Sequence, residues 1–269
     1  MHSSKTDNTS NHYLFEPCCA ERGGQILYIK KVQYIKPHDC SKYPFNLKVL
    51  NGFDSIDLDN KVTFFVGENG SGKSTLIEAI AVSYGFNSEG GSVNFNFSTR
   101  NSTSELYKNI VLQKNFNKPR DSFFLRAESF YNVATEIEVL DRIPAAASRI
   151  IDAYGGKSLH EQSHGESFLI LMNKRFCGNG LYILDEPEAA LSPEKQLSFL
   201  ARLHELVNAN SQFIIATHSP IILSYPYSTI YSIENGGIIK KEYEDTSQYQ
   251  FMKMFINNYK QILHHLFEN

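Results

Sequence analysis

The chain has little cysteine, no long apolar run and no excess of charge, and each shortage closes off a class of protein. Its 269 residues include four cysteines, Cys18, Cys19, Cys40 and Cys177. None forms a C-x-x-C pair, so the spacing suits neither a zinc site nor a disulfide framework and points to a reduced, cytoplasmic compartment. No apolar stretch approaches the ~20 residues needed to span a bilayer, so no membrane insertion is expected. Residues 1–25 are polar and turn-rich, lack the apolar centre of a signal peptide, and are expected to form a flexible tail. A net charge of −3 excludes a polycationic nucleic-acid binder, so any DNA contact would need a local patch. There is no internal repeat, low-complexity segment or heptad arm. What remains is an ordinary globular composition, 42% hydrophobic and 20% charged, with ample core for one large α/β domain.

Within that composition one stretch is chemically specific. "GENGSGKST" follows the apolar run "VTFFV" and precedes "LIEAIAV". Gly67, Gly72, Lys73 and Ser74 complete G-x-x-x-x-G-K-[ST], the P-loop pattern. Glycines let successive backbone N–H groups turn inward as an anion nest, and the following helix aims its positive dipole end at the same place. Gly67, Glu68, Asn69, Gly70, Ser71, Gly72, Lys73, Ser74 and Thr75 therefore form the expected nucleotide cradle, with Lys73 on the β- and γ-phosphates and Ser74 on Mg²⁺. Val62 to Val66 reads as a buried parallel strand. Leu76, Ile77, Ile80, Ala81 and Tyr84 recur at helical spacing, and Gly85 can cap the end.

Three more buried runs, "LYIL" (181–184), "FIIA" (213–216) and "IYSI" (230–233), alternate with helical patterns and imply a mostly parallel sheet covered on both faces. A helix starting at Ser192-Pro193 places Leu197, Leu200, Leu203 and Val207 on one stripe. "ILYIKKVQYI" (26–35) and "DSFFLRAESF" (121–130) read as further strands. The alternating residues 93–98 read as a half-exposed strand of a small antiparallel subdomain, and 131–160 as a helical insert. The expected divisions are a tail at 1–25, one ATPase-type α/β domain at 26–242 with its insert near 130–165, and an amphipathic C-terminal helix at 243–269. That helix, with Met252, Phe255, Ile256, Tyr259, Ile262, Leu263 and Leu266 on one face, is expected to pack on its own domain, with a partner-binding helix as the alternative.

Carboxylates leave the second buried run at "LYILDEPE". Asp185 and Glu186 stand at a strand's carboxyl end, where α/β sheets hold ligands. Asp185 fits a Walker B aspartate serving Mg²⁺, and Glu186 the residue that polarises the attacking water. "IIATHSP" repeats the geometry one strand on, with His218 placed to sense a γ-phosphate. "QSHGESFL" offers Ser163, Gly165 and Glu166 at a helix start, which is equally the pattern of a plain capping box.

Taken in order, "GENGSGKST", "SHGES", "YILDEPEAALSP" and "ATHSP" resemble an ABC-type P-loop ATPase, of the short stand-alone AAA_21/AAA_23 type, over residues 26–240. Glu166 is similar to the structural-maintenance-of-chromosomes and RecF branch, whose signature usually reads S-G-G-E, rather than to transporters, which mostly carry S-G-G-Q. The resemblance implies an ATP-hydrolysing enzyme with Mg²⁺, and an ATP-dependent homodimer in which Ser163, Gly165 and Glu166 reach ATP on the second subunit. Ala189 to Ser192 would form the D-loop across that interface. Two positions depart from the pattern. His164 stands where the family has glycine, and no glutamine follows "FFLRA", which leaves Glu128 as the assigned Q-loop metal contact and Gln113 as its rival. Tyr43 and Phe45 are the candidate adenine contacts.

The implied downstream role is a switch for a DNA-directed or defence-type partner. Between Arg100 and Arg126 six basic residues face two acidic ones, with aromatics interleaved, a stretch able to follow a nucleic-acid backbone or to form a solvated rim. The alternatives are a transporter's nucleotide-binding subunit, opposed by Glu166 and the absent Q-loop glutamine, and a non-hydrolytic regulator, opposed by Glu186 and His218.

Overall fold

The computed structural model describes residues 26–93, 103–126, 164–234 and 237–268, with isolated positions between 135 and 156. A six-stranded sheet forms the centre, in the order β5-β6-β7-β3-β8-β9. Its strands are β3 (Val62–Gly67), β5 (Asp121–Arg126), β6 (Gly180–Asp185), β7 (Gln212–Ala216), β8 (Ser228–Glu234) and β9 (Gly237–Lys241). The first five in spatial order run parallel, and β9 closes one edge antiparallel to β8. A smaller antiparallel sheet joins β1 (Ile29–Tyr34) to β2 (Ser55–Asp57) and β4 (Ile110–Lys114). The mostly parallel α/β architecture with a small antiparallel sheet is thus the one the sequence implies.

The central strands read as continuous apolar runs because both faces are covered. In β3, Val62, Phe64 and Val66 enter one core, while Phe65 enters the other. In β6, Tyr182 and Leu184 face the first core, and Leu181 and Ile183 the second. The first core is closed by α2 (His164–Ile170) and α3 (Pro193–Asn208), where the tilted rings of Phe168 and Phe199 lie 5.8 Å apart. The second is closed by α1 (Lys73–Tyr84), which buries Leu76, Ile77, Ile80 and Ala81 against the sheet. A short α4 (Pro220–Leu223) and a long α5 (Ser247–Phe267) complete the chain.

Several expectations change at the level of packing. In α3 the inward stripe is Phe199, Leu203 and Leu206 with Gln196, and Leu197 points outward at 61% exposure. Leu203 of the expected stripe is buried and Leu200 and Val207 pack partly against the core, so the face is rotated by only about a fifth of a turn, toward Phe199. The strand starting at Asp121 stops at Arg126, and residues 127–130 lie outside the described residues. So do the tail, residues 94–98 of the expected antiparallel strand, and most of the helical insert. The C-terminal helix does not pack on its domain along its length. It buries no residue, and Ile256, Leu266 and Phe267 stand exposed. Its first turn is the anchored part, through Thr246 as cap and the Tyr243 hydroxyl donating to Pro220 O at 2.8 Å.

The basic stretch is drawn into the fold only in part. Arg126 turns inward to buried Glu78 of α1 at 2.7 Å, and Lys114 donates to Tyr84 O at the end of α1. Lys108 pairs with Glu105 at the surface, Lys118 and Arg120 stand exposed, and Arg100 lies outside the described residues. Glu78, whose pKa burial raises, is held by Arg126 and the Ser104 N–H.

Candidate functional site

At the carboxyl end of β3 the chain enters the loop with Gly70 at φ 76° and Gly72 at φ 98°, left-handed conformations that glycine adopts without strain. Gly72 is required twice over, since a Cβ there would meet Val49 Cγ1 at 2.8 Å. The loop delivers Lys73 and Ser74 to the first turn of α1, whose dipole faces the same space. Lys73 is 4% exposed and donates to Gly67 O at 2.8 Å and Glu68 O at 3.0 Å, leaving one of its three donors for a ligand. Burial lowers its pKa, opposed by the charges of Glu186, Asp185 and Glu188.

Two strands away, β6 brings Asp185 to the same rim. The Ser74 hydroxyl donates to Asp185 Oδ1 at 3.1 Å, which joins the two residues expected to serve Mg²⁺. A hydroxyl and a buried carboxylate are hard oxygen donors, and Mg²⁺ takes few protein ligands beside phosphate and water, so the pair fits that ion. Glu186 follows with φ 53°, an uncommon left-handed conformation for a non-glycine residue, which swings its side chain out of the strand direction. Its Oε1 lies 3.6 Å from His218 Nε2, delivered by the end of β7. Burial and the Lys73 charge lower the His218 pKa, with Glu186 and Glu188 opposing, so the imidazole is neutral at pH 7.

Lys73, Ser74 and Glu186 line a cavity of about 440 Å³ together with Tyr43, Leu47, Asn69, Gly70, Gly72 and Thr75, while Asp185 and His218 reach it through Ser74 and Glu186. Tyr43 stands at its rim, whereas Phe45 packs against the second core and does not line it. Gln113 sits on β4 in the small sheet and lines no part of this cavity. Glu128 and Ser163 lie outside the described residues.

Gly165 and Glu166 lie in the first turn of α2 and do not line this cavity. Gly165 is pressed under the turn after β6, where a Cβ would meet Ala190 O at 2.4 Å. Glu188, which sequence reasoning passed over, also belongs to the site: it accepts the His218 backbone N–H at 2.5 Å. The available signal was a second carboxylate two positions beyond Glu186.

A P-loop, a strand-end aspartate–glutamate pair and a histidine on the next strand together define an ABC-type P-loop ATPase fold and site. The AAA domain model AAA_23 matches residues 45–266, and the chain belongs to that family. Among curated relatives, the cell division ATP-binding protein FtsE of Bacillus subtilis is 26% identical over 74% of this chain and 92% of its own length. The tungstate uptake system ATP-binding protein TupC of Campylobacter jejuni is 28% identical over 76% of this chain and 61% of its own. A solved ATP-binding cassette of an ABC transporter, MJ1267 in its ADP conformation, shares 18% identity and a TM-score of 0.49 over 90% of this chain and 100% of that one. No helix among the described residues is long and apolar enough to cross a membrane.

Proposed function

We propose that this chain hydrolyses ATP between two copies of itself and serves as a nucleotide-driven switch in the cytoplasm. The observation that carries the reading is that three strand ends bring Lys73, Ser74 and Glu186 to one cavity, with Asp185 bonded to Ser74 and His218 3.6 Å from Glu186. Lys73 and the loop hold the β- and γ-phosphates. Mg²⁺, held by Ser74 and Asp185, supplies charge neutralisation when bound. Glu186 takes the proton of the attacking water as its oxygen bonds to the γ-phosphorus and the bond to the ADP oxygen breaks. Neutral His218 offers its Nε2 to the same centre.

Gly165 and Glu166 do not line the cavity beside Lys73, which supports a composite site, with Ser163, Gly165 and Glu166 of one copy over the ATP of the other. Sedimentation of the Glu186→Gln protein with and without saturating Mg-ATP tests this: a dimer only with ATP is expected, and a monomer in both would refute it. Glu166, where transporters mostly carry glutamine, favours a DNA-directed or defence-type partner. That partner is a nucleic acid or a nucleic-acid-processing protein, since Arg126 is drawn into the fold while Lys118 and Arg120 stay exposed. The relatives' names favour a second reading, the ATP-binding subunit of an uptake system. Co-fractionation with membranes would decide for it.

A further inference from the structure

Glu188 sits half-buried in the turn Pro187–Ala190, and none of the roles above uses it. Its two carboxylate oxygens do different things. Oε1 accepts the backbone N–H of His218 at 2.5 Å. Oε2 is buried without a hydrogen-bond partner, and so is His218 Nε2. A buried carboxylate oxygen left unmatched is destabilising, so its placement here calls for a return elsewhere.

That return is visible in how the His218 segment is tied down. On its far side Ser219 is fixed by its N–H to Thr217 Oγ1 at 3.1 Å and by its hydroxyl, which caps α4 at Ile221 and Ile222 and contacts Gln196 Oε1 at 2.5 Å. The bond to the His218 amide itself comes from Glu188, across 30 residues. Removing it frees the one residue whose ring points at the reacting centre.

We propose that Glu188 is a positioning residue of the ATP site, whose carboxylate oxygen fastens the His218 backbone and thereby fixes Nε2 beside Glu186. This rests on the hydrolytic reading above. Misplacement of a catalytic group by about 1 Å costs on the order of 10²-fold in rate, so the anchor matters although it touches no reacting atom. The role needs an acceptor oxygen, not a charge.

Three full-length proteins test it: wild type, Glu188→Ala and Glu188→Gln. Glu188→Ala should lower kcat at least about 10-fold with KM within about twofold, and Glu188→Gln, which keeps an acceptor, should restore most of the rate. Backbone hydrogen exchange at His218 in nucleotide-free protein gives the readout that hydrolysis cannot confuse: slow in wild type and Glu188→Gln, fast in Glu188→Ala. If wild type proves inactive, the hydrolytic reading fails while the exchange rates still decide whether Glu188 is the anchor. Equal exchange in wild type and Glu188→Ala would overturn the proposal. So would equal loss of rate in the Ala and Gln variants, because charge rather than the acceptor would then be what matters.

Discussion

The two ends of the same parallel strands carry polar clusters of opposite character. At the amino end, Asp121 at the start of β5 takes Arg175 at 2.5 Å, the Tyr182 hydroxyl at 2.8 Å and the Cys177 N–H at 3.2 Å. Nearby, Ser211 Oγ accepts the Gly180 N–H at 3.2 Å, and Lys61 donates to Val207 O at 3.1 Å. That network is closed. At the carboxyl end, Ser71 Oγ, Glu188 Oε2 and His218 Nε2 are buried without partners, and Glu186 is held in an uncommon conformation. Buried polar atoms are ordinarily matched, so a cluster of unmatched ones marks where a ligand completes the set. The closed network stabilises the sheet, whereas the open one is poised to bind.

The sharpest way to break this contrast is to remove a group from each end. Lys73→Ala should weaken Mg-ATP binding about 100-fold by calorimetry, because a charged donor to phosphate is lost and no other cation lines that cavity. Its folding stability should change little. Asp121→Ala should do the reverse: about 2 kcal/mol lost in urea unfolding, since the partly buried Arg175 and the Cys177 N–H lose their acceptor while the Tyr182 hydroxyl keeps Cys177 O, with ATP affinity unchanged. An Asp121 variant that folds normally but loses ATP would erase the distinction.

A smaller effect concerns pH. The pKa of His218 is lowered in the folded state, so below about pH 6.5 the unfolded chain takes up that proton first. Stability contributed by neutral His218 is therefore present above that pH and is lost as pH falls toward the lowered folded value. His218→Asn should accordingly lose less stability than wild type between pH 7 and 5.5 in urea titrations. At the other end burial raises the Tyr182 hydroxyl's pKa above its usual 10, so it stays protonated across this range and substituting it should leave that slope alone.

Much of the open end was legible in the sequence because its parts are local. The glycines of the P-loop, the apolar run of β3 and the period of α1 each lie within a few residues, and the strand-end positions of Asp185, Glu186 and His218 follow from buried runs. What was not legible depends on partners far apart in the chain. Glu188 acquires meaning only when β6 and β7 align and bring its turn to the His218 amide. Arg126 reads as a surface cation until Glu78, 48 residues away, is found buried opposite it. An apolar face on α5 is the same pattern whether it is covered or exposed, and periodicity cannot say which.

The central claim is that the open end hydrolyses ATP with Glu186 as the base. The most direct measurement is ATP binding and turnover by the Glu186→Gln protein beside wild type. Glutamine fits the same space and cannot take a proton, so nucleotide affinity should stay within about twofold while turnover falls by about 10²–10⁴-fold. Turnover equal to wild type in the variant, or no turnover in either protein, would contradict it.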